Sequence, residues 1–392
     1  MKQYSIAKTL PVMFGFFIMG VVDLIGTAIN YVKADLSLND TTANLLSLSC
    51  FLWFLVLSIP TGFLMNRCGR KNTVIISFLI TLVGLFIPLF AYNFVEKKVV
   101  DFGMMVVAFI FIGIGNTIIQ VALNPLVTNV VSKEKQTGTL TLGQFVKAIS
   151  SWLGPNAAAW LAGSTFGWIY VFPVFGLLTL LACLWLWMTR IRESEKNEQA
   201  SFAATFALLK DNKILMFFIG ILVLVGVDVG LNATLPKYLM EKCPSISEIS
   251  QADQLKSYYY FIVRALGAFL GGIILMRVSE KKFYTVSALL ALAGLVALLF
   301  SSSQAGILAA TVIIALGYSN LFAIIFSLAL KHLPKNANEI SSLLIVGVSG
   351  GVIATLLGVV SDAFGTQWAA VAILAVIWMY MIWLIKPIRN GQ

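Results

Sequence analysis

Residues 62–71 read Gly62-Phe63-Leu64-Met65-Asn66-Arg67-Cys68-Gly69-Arg70-Lys71, and they join two apolar runs at about 44–65 and 73–92. Each run exceeds the roughly 18 residues that argue a bilayer-spanning helix. Gly62 and Gly69 let the two helices and their tight turn approach closely, because glycine adds no bulk and accepts either sign of φ. Arg67, Arg70 and Lys71 anchor the turn at one membrane face. The stretch reads as a membrane hairpin with a basic turn.

Working outward, the pattern repeats. Ten further runs lie at about 10–32, 103–126, 140–163, 167–189, 214–236, 257–278, 283–300, 305–328, 341–361 and 367–386. They are continuous rather than alternating, which excludes the signature of a membrane β-barrel. Hydrophobic residues make up 59% of the chain and charged ones 11%, against about 45–50% and 25% in soluble domains. The expected fold is all-α and polytopic, with twelve transmembrane helices in two pseudo-symmetric six-helix bundles.

The net charge of +10 does not point to nucleic acid, because the basic residues are scattered through short loops. With both termini cytoplasmic, 19 lysines and arginines fall inside and 6 outside, while Lys147 and Arg264 lie within spans. The positive-inside rule selects that orientation. A multi-pass protein of the inner (cytoplasmic) membrane is expected. The first span has no small-residue cleavage site and carries an acid, so it reads as helix one rather than a signal peptide.

No enzyme is expected: there is no GxxxxGK[ST], no metal-spaced cluster and no nucleophile with a nearby histidine. Transport must then be facilitated or ion-coupled. The single His332 falls in a predicted loop, and Cys50, Cys68, Cys183 and Cys243 form no C-x-x-C pair or disulfide framework. No cofactor or resident metal is expected, only a co-transported proton or sodium ion, with sodium possible near Asp23. No oligomer interface is legible; a monomer in the lipid bilayer is expected.

Two acids stand inside apolar runs, Asp23 in 13–32 and Asp228 in 215–236. A carboxylate at mid-membrane costs about 2.5–3.5 kcal/mol on insertion scales, so it marks an ion, proton or substrate path. The two lie 205 residues apart in a chain of 392. Asn116 with Asn320, and Phe166-Gly167 with Phe364-Gly365, repeat at offsets of 204 and 198. The longest polar segment, about 190–213, separates six spans from six. The expected division is 1–190, a cytoplasmic linker at 191–213, and 214–392.

Gly62 to Lys71 looks like the major facilitator loop signature G-x-L-x-D-R-x-G-R-K, with Asn66 where the pattern has Asp. A fainter copy, 272–282 (GIILMRVSEKK), follows span eight. That superfamily implies two parallel six-helix halves with substrate held near the midplane. Within it the chain is similar to the fucose permease family, which also holds glucose and galactose symporters. The resemblance rests on Gly113-Ile114-Gly115 with Gln120-Val121-Ala122-Leu123-Asn124-Pro125, on Leu142-Gly143-Gln144-Phe145 with Gly154-Pro155, and on Val225 to Gly230. It rests also on Ile325 to Leu330 with Gly350-Gly351 and Gly358 to Gly365. Gln120 replaces the family acid. The family's helix-one aspartate aligns with Thr27, while Asp23 takes a family asparagine one turn earlier. Lys147 replaces a family asparagine, and Arg264 matches a family arginine.

Helical spacing groups polar residues into stripes: Asp23, Thr27 and Asn30; Asn116, Gln120 and Asn124; Gln144, Lys147 and Ser151. In the second half, Asp228 shares a face with Asn232, Arg264 lies in span eight, and Asn320 and Ser327 lie in span ten. Amides and hydroxyls donate and accept, matching a sugar's hydroxyl fringe; they also serve as helix-to-helix glue. Trp53 and Trp152 offer rings for sugar C–H faces. Each half holds one buried acid and one buried base, which either neutralise each other or couple a cation.

The expected activity is import of a monosaccharide or derivative by a proton- or sodium-coupled symporter working by alternating access. Asp23, Asp228, Thr27 and Gln120 are the coupling candidates. Asn30, Asn116, Gln120, Asn124, Gln144, Lys147, Trp53, Trp152, Asn232, Arg264 and Asn320 are the substrate candidates. Gly62, Asn66, Arg67, Gly69 and Arg70 form a candidate gating loop. Lys147 has a second possible role, binding a carboxylate-bearing sugar. A metabolite or drug antiporter or a uniporter is the alternative, and a receptor or lipid-handling protein a more distant one.

Overall fold

The computed structural model describes residues 6–38, 40–94, 100–193, 202–247 and 249–390. Among them there is no strand, and helical segments cover all twelve predicted spans. Span one is Ile6–Met19, a 3₁₀ turn at Gly20–Asp23, and Leu24–Leu36. Spans two to six are Asp40–Cys68, Arg70–Phe94, Phe102–Val130, Gln136–Ala162 and Val171–Met188. Span seven is Asn212–Lys242, and span eight runs Ile249–Lys256, a π-helical stretch Ser257–Ile262, then Val263–Ile274. Span nine is Glu280–Phe300, and span ten is Gln304–Tyr318 with Leu321–His332. Span eleven is Ala337–Val346, a 3₁₀ stretch Gly347–Val352, and Ile353–Phe364; span twelve is Gln367–Trp383.

Among the described residues, ten helices are long and apolar enough to cross a membrane, and spans five and eleven are not among them. Span five is diluted by Gln136, Thr137, Thr139, Thr141, Gln144 and Lys147, and span eleven is cut short by its glycine-rich 3₁₀ stretch. Outward faces are hydrocarbon: Leu48, Leu55, Leu79, Val83, Leu177, Leu181, Val286, Leu289 and Val376 are all exposed. So large an apolar surface would aggregate in water and suits acyl chains.

Packing divides the chain into two compact units. The first comprises Met1–Ser132, Val146–Thr205 and Lys335–Val346. Its centre is span four, 72% of whose apolar stretch is buried. The opening turns of span eleven belong here because they are bonded in place. The Ser341 hydroxyl donates to the Val121 carbonyl at 2.6 Å, and a Cβ on Gly62 would sit 2.9 Å from the Ser342 hydroxyl. That closeness is the reason the hairpin carries glycine there.

The second unit comprises Lys133–Phe145, Phe206–Pro334 and Gly347–Gln392. Span ten occupies the equivalent central place, again 72% buried. Asp211 caps span seven, accepting from the backbone N–H of Lys213 at 2.9 Å and Ile214 at 3.1 Å, which satisfies donors the helix leaves orphaned. His332 closes on the same carboxylate at 3.0 Å. The first turns of span five join this unit through Thr137, whose hydroxyl donates to Glu280 at 2.6 Å, while Lys331 reaches Glu280 at 2.7 Å.

Candidate functional site

In the first unit the chemistry gathers where span one breaks. Asp23 ends the 3₁₀ turn, near the middle of its span, and is half-buried. Its carboxylate accepts a short hydrogen bond from the Ser151 hydroxyl. The turn is pressed against span five: a Cβ on Gly20 would lie 2.6 Å from the Lys147 carbonyl and 2.8 Å from the Ser150 Cβ. Only glycine allows that crossing.

The stripe on span four supports this turn. Asn116 donates to the Met19 carbonyl at 2.8 Å, where α-helix gives way to 3₁₀. Gln120 donates to the Asn116 side-chain oxygen at 2.8 Å, and Asn124 to the Gln120 carbonyl at 2.8 Å. All three amides are buried. Asn116 thereby holds the break beside Asp23, a positioning role, while Gln120 and Asn124 bond back along their own helix. Thr27 and Asn30 lie on helix Leu24–Leu36, but their side chains fall outside the described residues.

Two other first-unit candidates keep unspent donors. The indole N–H of Trp53 is buried with no hydrogen-bond partner. Lys147 is half-buried; its carbonyl accepts from the Ser151 hydroxyl at 3.0 Å, but among the described residues its ammonium has no hydrogen-bond or ion-pair partner. Trp152 is 50% exposed, and Gln144, from the second unit's segment of span five, is half-buried.

The second unit treats its acid differently. Arg264 Nη1 lies 2.9 and 2.8 Å from the two Asp228 oxygens, forming a salt bridge. The Tyr260 hydroxyl donates to Asp228 at 2.6 Å, and the Asn232 amide at 3.1 Å. The guanidinium also sits 4.6 Å over the Tyr318 ring centroid, a cation–π contact. Tyr260 comes from the π-helical stretch of span eight, a type of irregularity common at functional sites. Neutralisation within one half, one of two options open from the sequence, holds here for Asp228. In the first unit no described cation pairs with Asp23. Asn320 is buried and donates to the Gly267 carbonyl at 3.2 Å, tying span ten to span eight.

The loop residues form a polar knot in the first unit. Asn66 donates to Glu339 at 2.8 Å, and Asn338 donates back to the Asn66 oxygen at 2.6 Å. Arg70 is buried and reaches Asn338, the Pro125 carbonyl, Thr128 and Asn129 at 2.7–3.1 Å. Arg67 is exposed. Glu193 caps span three by accepting from the backbone N–H of Arg70 at 2.5 Å and Lys71 at 2.8 Å. Gly69, at φ +85°, makes the turn that presents those donors. Asn66 in place of aspartate therefore does not leave the knot without an acid, because Glu339 supplies one from span eleven.

Sequence reasoning missed Glu339, Asn338, Glu193, Tyr318 and the particular role of Tyr260. The one available signal was the aspartate-to-asparagine departure in the loop, which implies a displaced acid somewhere near.

Twelve helical spans with ionisable side chains at mid-depth define a polytopic membrane protein of the transporter type. The chain belongs to the Major Facilitator Superfamily, whose family model matches residues 12–243. It is similar to a glucose/galactose transporter of Brucella abortus, 26% identical over 386 residues that span 94% of this chain and 90% of that one. It is also similar to the L-fucose-proton symporter of Escherichia coli, 21% identical and covering 84% of this chain and 81% of the relative. The crystal structure of the fucose transporter FucP in the outward conformation shares the fold, with a TM-score of 0.85 and 20% identity over 99% of this chain and all of that one.

Proposed function

We propose that this chain is a secondary active transporter that imports a monosaccharide or sugar derivative by alternating access, coupled to a proton or sodium ion at Asp23. The observation that carries the reading is the unequal state of the two mid-span acids. Asp228 has a cation and two neutral donors, so its charge is already compensated. Asp23 has one hydroxyl donor and sits on a helix break. A carboxylate held with so little compensation is the one poised to take up and release a cation. The sugar-transporting relatives support the substrate class.

In this reading Trp53 and Lys147 contact the substrate, and the Asn116–Gln120–Asn124 run keeps the Asp23 turn in shape. The knot around Asn66 and Arg70 acts in gating. The chain sits in the inner membrane with both termini cytoplasmic, as its basic residues favour.

The test is uptake of radiolabelled hexoses, amino sugars and uronates into proteoliposomes under imposed proton or sodium gradients. Asp23→Asn is expected to abolish accumulation while leaving counterflow exchange intact. Accumulation that survives the substitution removes Asp23 as the coupling site. Uptake by the unaltered protein that ignores both gradients removes coupling altogether and leaves a uniporter.

A further inference from the structure

The uncompensated lysine in the first unit specifies the substrate further. Lys147 lies well inside the helix Gln136–Ala162, at least ten residues from either end. A lysine inside a membrane span is costly unless something offsets its charge. Arg264, the basic group within span eight, is offset by Asp228 at 2.8 Å. Among the described residues the Lys147 ammonium has no such partner. Asp23, the acid nearest in the packing, is bonded to Ser151 and forms no ion pair with it.

The base of the lysine is fixed, because the Gly20 crossing sets the Lys147 backbone against the Asp23 turn. Its flexible four-carbon stem and compact ammonium remain free to meet a charge. A second unspent donor is the Trp53 indole N–H, buried and unpartnered, and the Ser150 hydroxyl on the lysine's own helix is likewise buried without a partner. Span two packs against span four, and the Cys50 Cα would lie 2.8 Å from a Cβ on Gly113. Trp53 and Asn116 each lie three residues further along, on helices that run in the same direction through the bilayer by the loop count. The orphaned indole therefore sits near the depth of the Asn116–Met19 bond that props the Asp23 turn.

Lysine and tryptophan here offer donors and no acceptor. A neutral hexose, whose hydroxyls both donate and accept, would leave its own donors unmatched at such groups. A carboxylate is acceptor-only and anionic, and suits both. We infer that this transporter carries acidic sugars, with Lys147 binding the carboxylate of a uronate-type substrate. The inference rests on the sugar-transport reading above and refines its substrate class.

The experiment uses the full-length chain in proteoliposomes, with counterflow of radiolabelled glucuronate and galacturonate measured beside glucose, galactose and fucose. Wild type should exchange a uronate, with neutral sugars competing weakly at equal concentration. Lys147→Gln should lower uronate exchange by at least roughly tenfold, the scale expected for losing a hydrogen bond to a charged group. Lys147→Arg should keep the preference for the acid, and Lys147→Asn should shift preference toward neutral hexoses. Quenching of tryptophan fluorescence by added glucuronate, on material that elutes as a single symmetrical peak, separates lost binding from lost folding.

Wild-type exchange of neutral hexoses with no uronate uptake or competition overturns the inference and leaves sugar transport standing. Equal loss of acidic and neutral exchange in a well-folded Lys147→Gln protein also overturns it, because it makes the lysine structural. Exchange of neither class overturns the sugar reading itself.

Discussion

Removing Arg264 should destabilise the protein, and removing its partner as well should restore much of the loss. Breaking a buried ion pair by deleting one member costs about 3–5 kcal/mol, because the remaining charge is stranded. Here the side chains are 32% and 15% exposed, so partial solvation lowers the expectation for Arg264→Gln to about 2–3 kcal/mol. That figure includes the cation–π contact with Tyr318, at about 0.5–2 kcal/mol. Tyr260→Phe removes only a neutral donor from Asp228 and should cost about 1 kcal/mol. The double variant Asp228→Asn with Arg264→Gln strands no charge, so its loss should fall about 2 kcal/mol short of the sum of the two single losses. Equilibrium unfolding in mixed micelles, followed by tryptophan fluorescence, measures all four. Single losses that add within about 0.5 kcal/mol would refute the argument, since additivity means that the two groups do not depend on each other.

Two further outcomes test the ends of the helices. Gly69→Ala places a side chain at φ +85°, with its Cβ 2.7 Å from a Glu193 carboxylate oxygen; it should cost about 1–3 kcal/mol by the same unfolding measurement. Burial raises the pKa of Asp211, but hydrogen bonds from His332 and the Ile214 and Lys213 amides, with the His332 charge, outweigh it and leave the carboxyl below its ordinary value. A folded-state pKa below the unfolded one gives stability that is present above about pH 4 and lost as pH falls through the folded value. Asp211→Asn should flatten that acid limb of the melting profile while keeping an N-cap oxygen. An unchanged limb would mean that other carboxylates produce it.

The fold is legible because its main determinant, runs of apolar residues long enough for a bilayer, needs no tertiary information. Spans five and eleven depart from the strict hydropathy pattern for a visible reason: they carry polar residues and glycines that make contacts inside their units. The site is only half legible. Periodicity sets Asn116, Gln120 and Asn124 on one face, but nothing in a single sequence says which way that face points. The packing brings Asn116 onto span one, so an amide that suits a sugar is used as a prop. The pairing of Asp228 with Arg264 depends on two helices whose separation in space has no local code. The span-one break falls at Gly20, where the glycine is visible, but its partner Lys147 lies 127 residues away in the chain.

The knot at the loop has a consequence for protein engineering. Changing Asn66 to the aspartate of the loop signature that the stretch resembles looks like a safe improvement. Its amide, however, is the donor to Glu339, so Asn66→Asp alone would set two carboxylates face to face, an arrangement that forces one to take up a proton or move away. Only an exchange that also neutralises Glu339 would transplant the common pattern. The amide and the carboxylate work as one hydrogen-bonded pair, so a change chosen for one position alone would break it.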